Sequence, residues 1–179
     1  LGIILNDINR AYSGEKLEVE EYTSYDLALD NRDALASDAY KNAENYYKSV
    51  FENAGGSINF YPDKSGAAPT AEMYHRETSE FSVQDVKAFC KKHGITENVF
   101  FISAFGITLG KYNFRKDAVF TTIYHGRNDS RLSDTVGMLV KTLPVYCDFS
   151  GSTADCLNAV QQQLINSMNN DIYPFSQIS

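Results

Sequence analysis

The sequence predicts an α/β (α+β) chain, with strands set among helices. Two observations carry this. The run Ala118-Val119-Phe120-Thr121-Thr122-Ile123-Tyr124 is built from β-branched and aromatic residues, the types that suit a pleated, half-buried surface. On either side of it, apolar residues recur every three to four positions, the spacing that lays one helix face against a core. With 179 residues there is room for one ordinary domain or two small lobes. Apolar residues make up 43% and aromatics 13%, too much for a disordered tail, so a packed core is expected.

Taken in order, Leu1, Ile4, Leu5, Ile8 and Tyr12 mark a helix over 1–12 with one face buried, and Gly14 follows as its stop. Residues 18–30 are acidic and aromatic without a clean period, which predicts a loop and a short turn. Leu35, Tyr40, Ala43, Tyr47 and Val50 predict a helix over about 33–51, ended by Gly55-Gly56. Pro62-Asp63-Lys64-Ser65-Gly66 and Pro69 mark 62–69 as a linker, dividing the chain into 1–61 and 70–179. A strand is expected over 71–79. Ser82 caps the next helix, with the Asp85 carboxylate at its third position facing the positive end of the dipole and Phe81 and Val86 placed as a staple. His93-Gly94 ends it. From Thr96 to Leu109 the chain is apolar nearly all round, which predicts a buried helix. After the strand at 118–124, a second strand is expected over 138–147, where Pro144 removes a ladder donor and points to an edge or bulge. Ser152 or Thr153 caps a closing helix with Leu157, Val160, Leu164 and Met168 on one face.

Charge excludes one class of function. Lys and Arg number 16 against 23 Asp and Glu, a net charge of −7, so the phosphate-neutralising surface that nucleic acids require is missing. The most apolar stretch, from Val99 to Leu109, is interrupted by Ser103 and Gly106 and falls far short of the ~20 residues that span a bilayer. No secretory signal opens the sequence, and the cysteines, Cys90, Cys147 and Cys156, have no Cys-x-x-Cys spacing. Free buried thiols in the cytoplasm are the expectation, with no metal. Leu1 stands without a starting Met and inside a helical pattern, so the chain is expected to be a piece of a longer protein.

Phosphate loops, dinucleotide-binding glycines, EF-hands, His-Glu-x-x-His and Gly-x-Ser-x-Gly are all absent. His75 and His93 sit in polar company and read as solvated. His125-Gly126-Arg127 differs, because a titratable ring and a guanidinium emerge at the carboxyl end of a strand, where ligand crevices of α/β proteins tend to lie. Its bland alternative is a strand-to-loop transition with Arg127 reaching solvent or an acidic loop. In Val136-Gly137-Met138-Leu139-Val140-Lys141-Thr142-Leu143-Pro144, Gly137 suggests a close backbone approach.

In their order these pieces resemble the condensation domain of nonribosomal peptide synthetases. Leu1-Gly2-Ile3-Ile4-Leu5-Asn6-Asp7-Ile8 to Tyr12 resembles the helix that follows the family's His-His-x-x-x-Asp-Gly motif. Tyr22-Thr23-Ser24-Tyr25-Asp26-Leu27-Ala28 is similar to its Tyr-x-Asp-Phe/Tyr-Ala segment, and His93-Gly94-Ile95-Thr96 to Leu109 to its buried second-lobe helix. Gly126-Arg127, Val136 to Pro144 and Asn170-Asp171-Ile172-Tyr173-Pro174-Phe175 resemble three further family segments. Leu139 stands for the usual Phe, Lys141 for the usual Asn, and Ile172 is inserted; the histidine motif and the final Arg-Asp-x-Ser-Arg are absent from these residues.

The resemblance implies a chloramphenicol-acetyltransferase-like two-lobe fold around a tunnel, here a partial copy with a mixed sheet flanked by helices: the end of the first lobe in 1–61 and most of the second in 70–179. It implies amide-bond formation between an aminoacyl or peptidyl thioester and a downstream amine. Both would arrive on the phosphopantetheine arms of peptidyl carrier proteins beside neighbouring synthetase domains, with no cofactor bound directly. His125, Gly126, Arg127, Gly137, Met138, Lys141 and Thr142 are the expected lobe-interface or tunnel residues, and no catalytic residue is expected within the 179. In the full-length domain Arg127 is expected to pair with the Asp of the absent motif, so that removing it would destabilise that domain and barely alter this chain. The apolar face of the first helix (Leu1, Ile4, Leu5 and Ile8) packs on strands that these residues lack, so self-association is expected, or docking of residues 1–55 on the second lobe. An epimerisation domain of the same superfamily and a non-catalytic carrier-binding module are the alternatives.

Overall fold

A computed structural model describes residues 2–52, 54–56, 60, 73, 75, 77, 78 and 80–178. The elements are α1 (Gly2–Tyr12), α2 (Ser24–Ala34), α3 (Asp38–Phe51), α4 (Val83–His93), α5 (Glu97–Tyr112), β1 (Asp117–Tyr124), β2 (Lys141–Asp148) and α6 (Thr153–Asn169). The linker expected at 62–69 lies outside the described residues, as does most of the strand expected over 71–79. The chain divides into two compact units: Leu1–Ser49, Ile123–Leu143 and Asn166–Ser179 form the first, Val50–Thr122 and Pro144–Ile165 the second.

The second unit is organised by an apolar core. Ser82 caps α4 in a capping box with Asp85, and Gly94 stops it at φ +65°, a left-handed conformation that suits glycine. The two bonds from Ser82 hold the Asp85 carboxyl below its usual range. Thr96 caps α5. Val86, Cys90, Val99, Ile102 and Leu109 meet Val145, Cys147, Leu157, Val160 and Leu164 in one buried cluster. Gly106 makes this packing possible, since a Cβ there would lie 2.8 Å from the Cβ of Cys147. The α5 helix is not buried all round: Phe101 and Phe105 face outward, and Phe60 packs edge-on against Phe105 and Tyr112. Among the described residues the sheet has two strands. The Phe149 N–H donates to the Lys116 carbonyl, joining the end of β2 to the start of β1 in antiparallel fashion. Pro144 therefore sits on an edge strand, as its missing donor requires.

All three cysteines are free and buried. The Sγ atoms of Cys147 and Cys156 lie 3.4 Å apart; that contact, followed by burial, pushes the Cys147 thiol up.

The first unit corrects two expectations. Residues 18–30 are not merely loop and turn, because α2 begins at Ser24 behind a capping box of Thr23 and Asp26. The α1 helix forms as expected, but none of its residues is buried, and Ile4, Leu5 and Ile8 are exposed. In the same unit α3 packs through Ala43 and Tyr47. The Tyr47 hydroxyl donates to the Ser167 carbonyl at 3.2 Å, Tyr46 meets the Ser167 hydroxyl at 3.1 Å, and burial pushes the Tyr47 phenol up to about 12.

Candidate functional site

Where β1 ends, the chain turns through His125, Gly126 and Arg127. Gly126 has φ +70°, and a Cβ there would collide with the Leu139 carbonyl oxygen, so only glycine fits. This close approach ties the end of β1 to the residues before β2, which begins at Lys141 rather than at Met138. His125 is exposed, its Nδ1 accepting the Arg127 N–H at 3.0 Å.

Arg127 folds back over its own loop. Its guanidinium donates to the carbonyls of Leu132, Ser133 and Thr135, the last at 3.0 Å. Three backbone acceptors within the chain engage its fork. Thr135, almost wholly buried, donates its hydroxyl to the Tyr22 carbonyl at 2.6 Å, and the Val136 N–H donates to Glu20 at 3.0 Å. Gly137 then passes so near α2 that a Cβ would lie 2.8 Å from the Cβ of Ser24. Met138 projects outward and is 90% exposed.

A polar cluster that the sequence reading missed braces this loop. Arg131 lies over the Tyr22 ring at 4.3 Å and pairs with Asp30 at 3.1 Å and Asp129 at 2.6 Å. The Tyr22 hydroxyl donates to Asp30 at 2.7 Å; burial, then this bond, pushes its phenol up to about 12. The Arg131 guanidinium holds the Asp129 carboxyl below its usual range. A single signal hinted at the cluster, the Tyr22 segment of the family resemblance.

Lys141, Thr142 and Leu143 line a cleft of about 370 Å³ with Asn31, Leu35 and the turn from Asp171 to Ser176. Lys141 Nζ reaches Oδ1 of Asp171 at 3.1 Å and donates to its main-chain carbonyl, also at 3.1 Å. Tyr173, in the same turn, stacks against Tyr47 and tilts against Tyr40. Of the seven residues singled out from the sequence, Lys141 and Thr142 line this cleft; the others shape the loop ahead of it. A second, wider cleft runs between α1, residues 16–22 and residues 130–136. Among the described residues there is no group of three or more His, Cys, Asp or Glu side chains that could hold a metal ion, and no helix long and apolar enough to cross a membrane.

The family model for the condensation domain matches residues 1–179, and the chain belongs to that family. It is 27% identical over 180 residues to nonribosomal peptide synthetase sidC of Arthroderma benhamiae, covering 99% of this chain and 3% of that protein. It is also 27% identical over 187 residues to bacitracin synthase 1 of Bacillus licheniformis, covering 99% of this chain and 4% of that one. Among solved structures, the first condensation domain of the calcium-dependent antibiotic synthetase superposes with a TM-score of 0.72 at 14% identity, covering 94% of this chain and 38% of that chain. The SgcC5 protein from Streptomyces globisporus superposes at 0.73 with 18% identity, covering 99% and 42%. These likenesses show the fold, the chloramphenicol-acetyltransferase-like one. The chain spans about two-fifths of those solved chains and a few per cent of the synthetases.

Proposed function

We propose that these residues are the end of the first lobe (1–61) and most of the second lobe (70–179) of a condensation domain in nonribosomal peptide synthesis. The reaction is attack of a carrier-bound amine on an upstream aminoacyl or peptidyl thioester, giving an amide and a free carrier thiol. One observation carries the reading: segments far apart in sequence that resemble family motifs, around Tyr22, Gly126-Arg127, Val136 to Leu143 and Asn170 to Phe175, belong to one compact unit. The family match over residues 1–179 supports it.

The chemistry sets what each part must do. The amine has to be neutral and held at attack distance, and the tetrahedral oxyanion needs donors. Proton handling falls to the His-His-x-x-x-Asp-Gly motif, which is absent from these 179 residues. What this chain supplies is the frame: Gly126 and Arg127 fix the loop ahead of β2, and Lys141 and Thr142 line the cleft. Both substrates come on phosphopantetheine arms of peptidyl carrier proteins, so the partners are those carriers and neighbouring synthetase domains, in the cytoplasm. The exposed apolar face of α1 supports self-association of the isolated chain.

The test is dipeptide formation with loaded carrier proteins. The 179-residue chain alone is expected to give none. Joined behind a first half bearing the histidine motif, taken from bacitracin synthase 1, it is expected to form the amide. Turnover by the chain alone would overturn the assignment of proton handling to that motif. Carrier binding without turnover by the joined protein would overturn condensation in favour of a non-catalytic carrier-binding module.

A further inference from the structure

Lys141 carries more donors than its ion pair uses. An ammonium has three N–H groups, and among the described residues Nζ meets two acceptors, both on Asp171. The pair is partly shielded, at 30% and 22% side-chain exposure, and Lys141 lines the 370 Å³ cleft, a volume within the range of small-molecule sites. The rest of the wall is largely apolar: Leu35 from α2, Leu143 from β2, and Ile172, Pro174 and Phe175 from the turn.

Charge decides what such a cleft accepts. Lys141 and Asp171 together are neutral, so the site offers one strong donor without a net field. A carboxylate ligand would meet Asp171, and an ammonium ligand would meet Lys141. A neutral carbonyl oxygen takes the remaining N–H with no opposing charge. We propose that Lys141 is a specificity-determining residue that hydrogen-bonds a neutral amide or thioester carbonyl, while the attached short alkyl chain lies on the apolar wall. The proposal rests on the condensation reading only in identifying that carbonyl with part of an acyl or peptidyl substrate. Asp171 is the positioning residue, holding the ammonium at the cleft wall.

The test follows amide resonances of Thr142, Leu143 and Tyr173 in the isotope-labelled chain during titration with N-methylbutanamide and, separately, n-butylammonium. The amide probe is expected to shift them saturably, and the ammonium probe is not. Lys141→Met, which keeps the stem and removes the donors, is expected to weaken binding by about tenfold, the low end for a hydrogen bond to a charged group. Lys141→Gln, which retains an N–H donor, is expected to fall between. Equal affinity in wild type and Lys141→Met, stronger binding of the ammonium, or no saturable shift in wild type would each overturn the proposal. The wild-type discrimination between probes stands even if a variant fails to fold. Amide binding without dipeptide formation by the joined protein leaves this site in place and removes condensation; dipeptide formation with unmoved resonances does the reverse.

Discussion

In the second unit, side chains from α4, α5, both strands and α6 touch one another in a single apolar cluster. The first unit is built differently. Its α1 and α2 helices bury no residue, and its loop from Gly126 to Lys141 is fixed by donors aimed at backbone: Arg127 on three carbonyls, Thr135 on Tyr22, Lys141 on Asp171. Apolar contact is tolerant of small displacements, whereas a hydrogen bond specifies one position and angle. The candidate site lies where position matters most, and it is held by bonds of the second kind.

This contrast can be broken first from the apolar side. Leu164 is 3% exposed within the cluster. Leu164→Ala is expected to cost about 2–5 kcal/mol in global stability, read as a fall in the chemical-denaturation midpoint. A cost below 1 kcal/mol would mean that the cluster is not what holds the second unit.

The apolar surface of the first unit sharpens it. Ile4, Leu5 and Ile8 are 42%, 50% and 57% exposed on one helix. Sedimentation of the isolated chain at rising concentration is expected to show association, and Ile4→Ser with Ile8→Ser is expected to restore a monomer. A monomer at all concentrations in the unsubstituted chain would contradict it.

How much of this was legible in the sequence follows the same division. Periodicity located α4, α5, β1 and α6 because each turns one face to a shared core. It failed at α2, whose sequence SYDLALDNRDA carries no apolar repeat; the signal available there was local. Thr23 and Asp26 form the same capping box as Ser82 and Asp85, but only the second pair precedes an apolar repeat. In α5 the reverse happened: an all-round apolar composition suggested full burial, yet Phe101 and Phe105 face outward. The site residues were legible as motif positions, not as partners. Nothing in the spacing of Arg127 indicates that it would close on Leu132, Ser133 and Thr135, nor that Lys141 would find Asp171 thirty positions on, since such contacts depend on loop paths that periodicity does not encode.

The polar bracing of the first unit is tested most directly by residue-resolved hydrogen exchange in Arg127→Ala. Removing the guanidinium strands three carbonyls, so the loop should open locally while the apolar cluster stays closed. Amides of Leu132, Ser133 and Val136, whose N–H groups donate to Asp129, Ser130 and Glu20, are expected to lose protection. Those of α5 and of α6 from Leu157 to Leu164 are expected to keep it. Unchanged protection in the loop, or an equal loss in α5 and α6, would contradict a site held locally by Arg127.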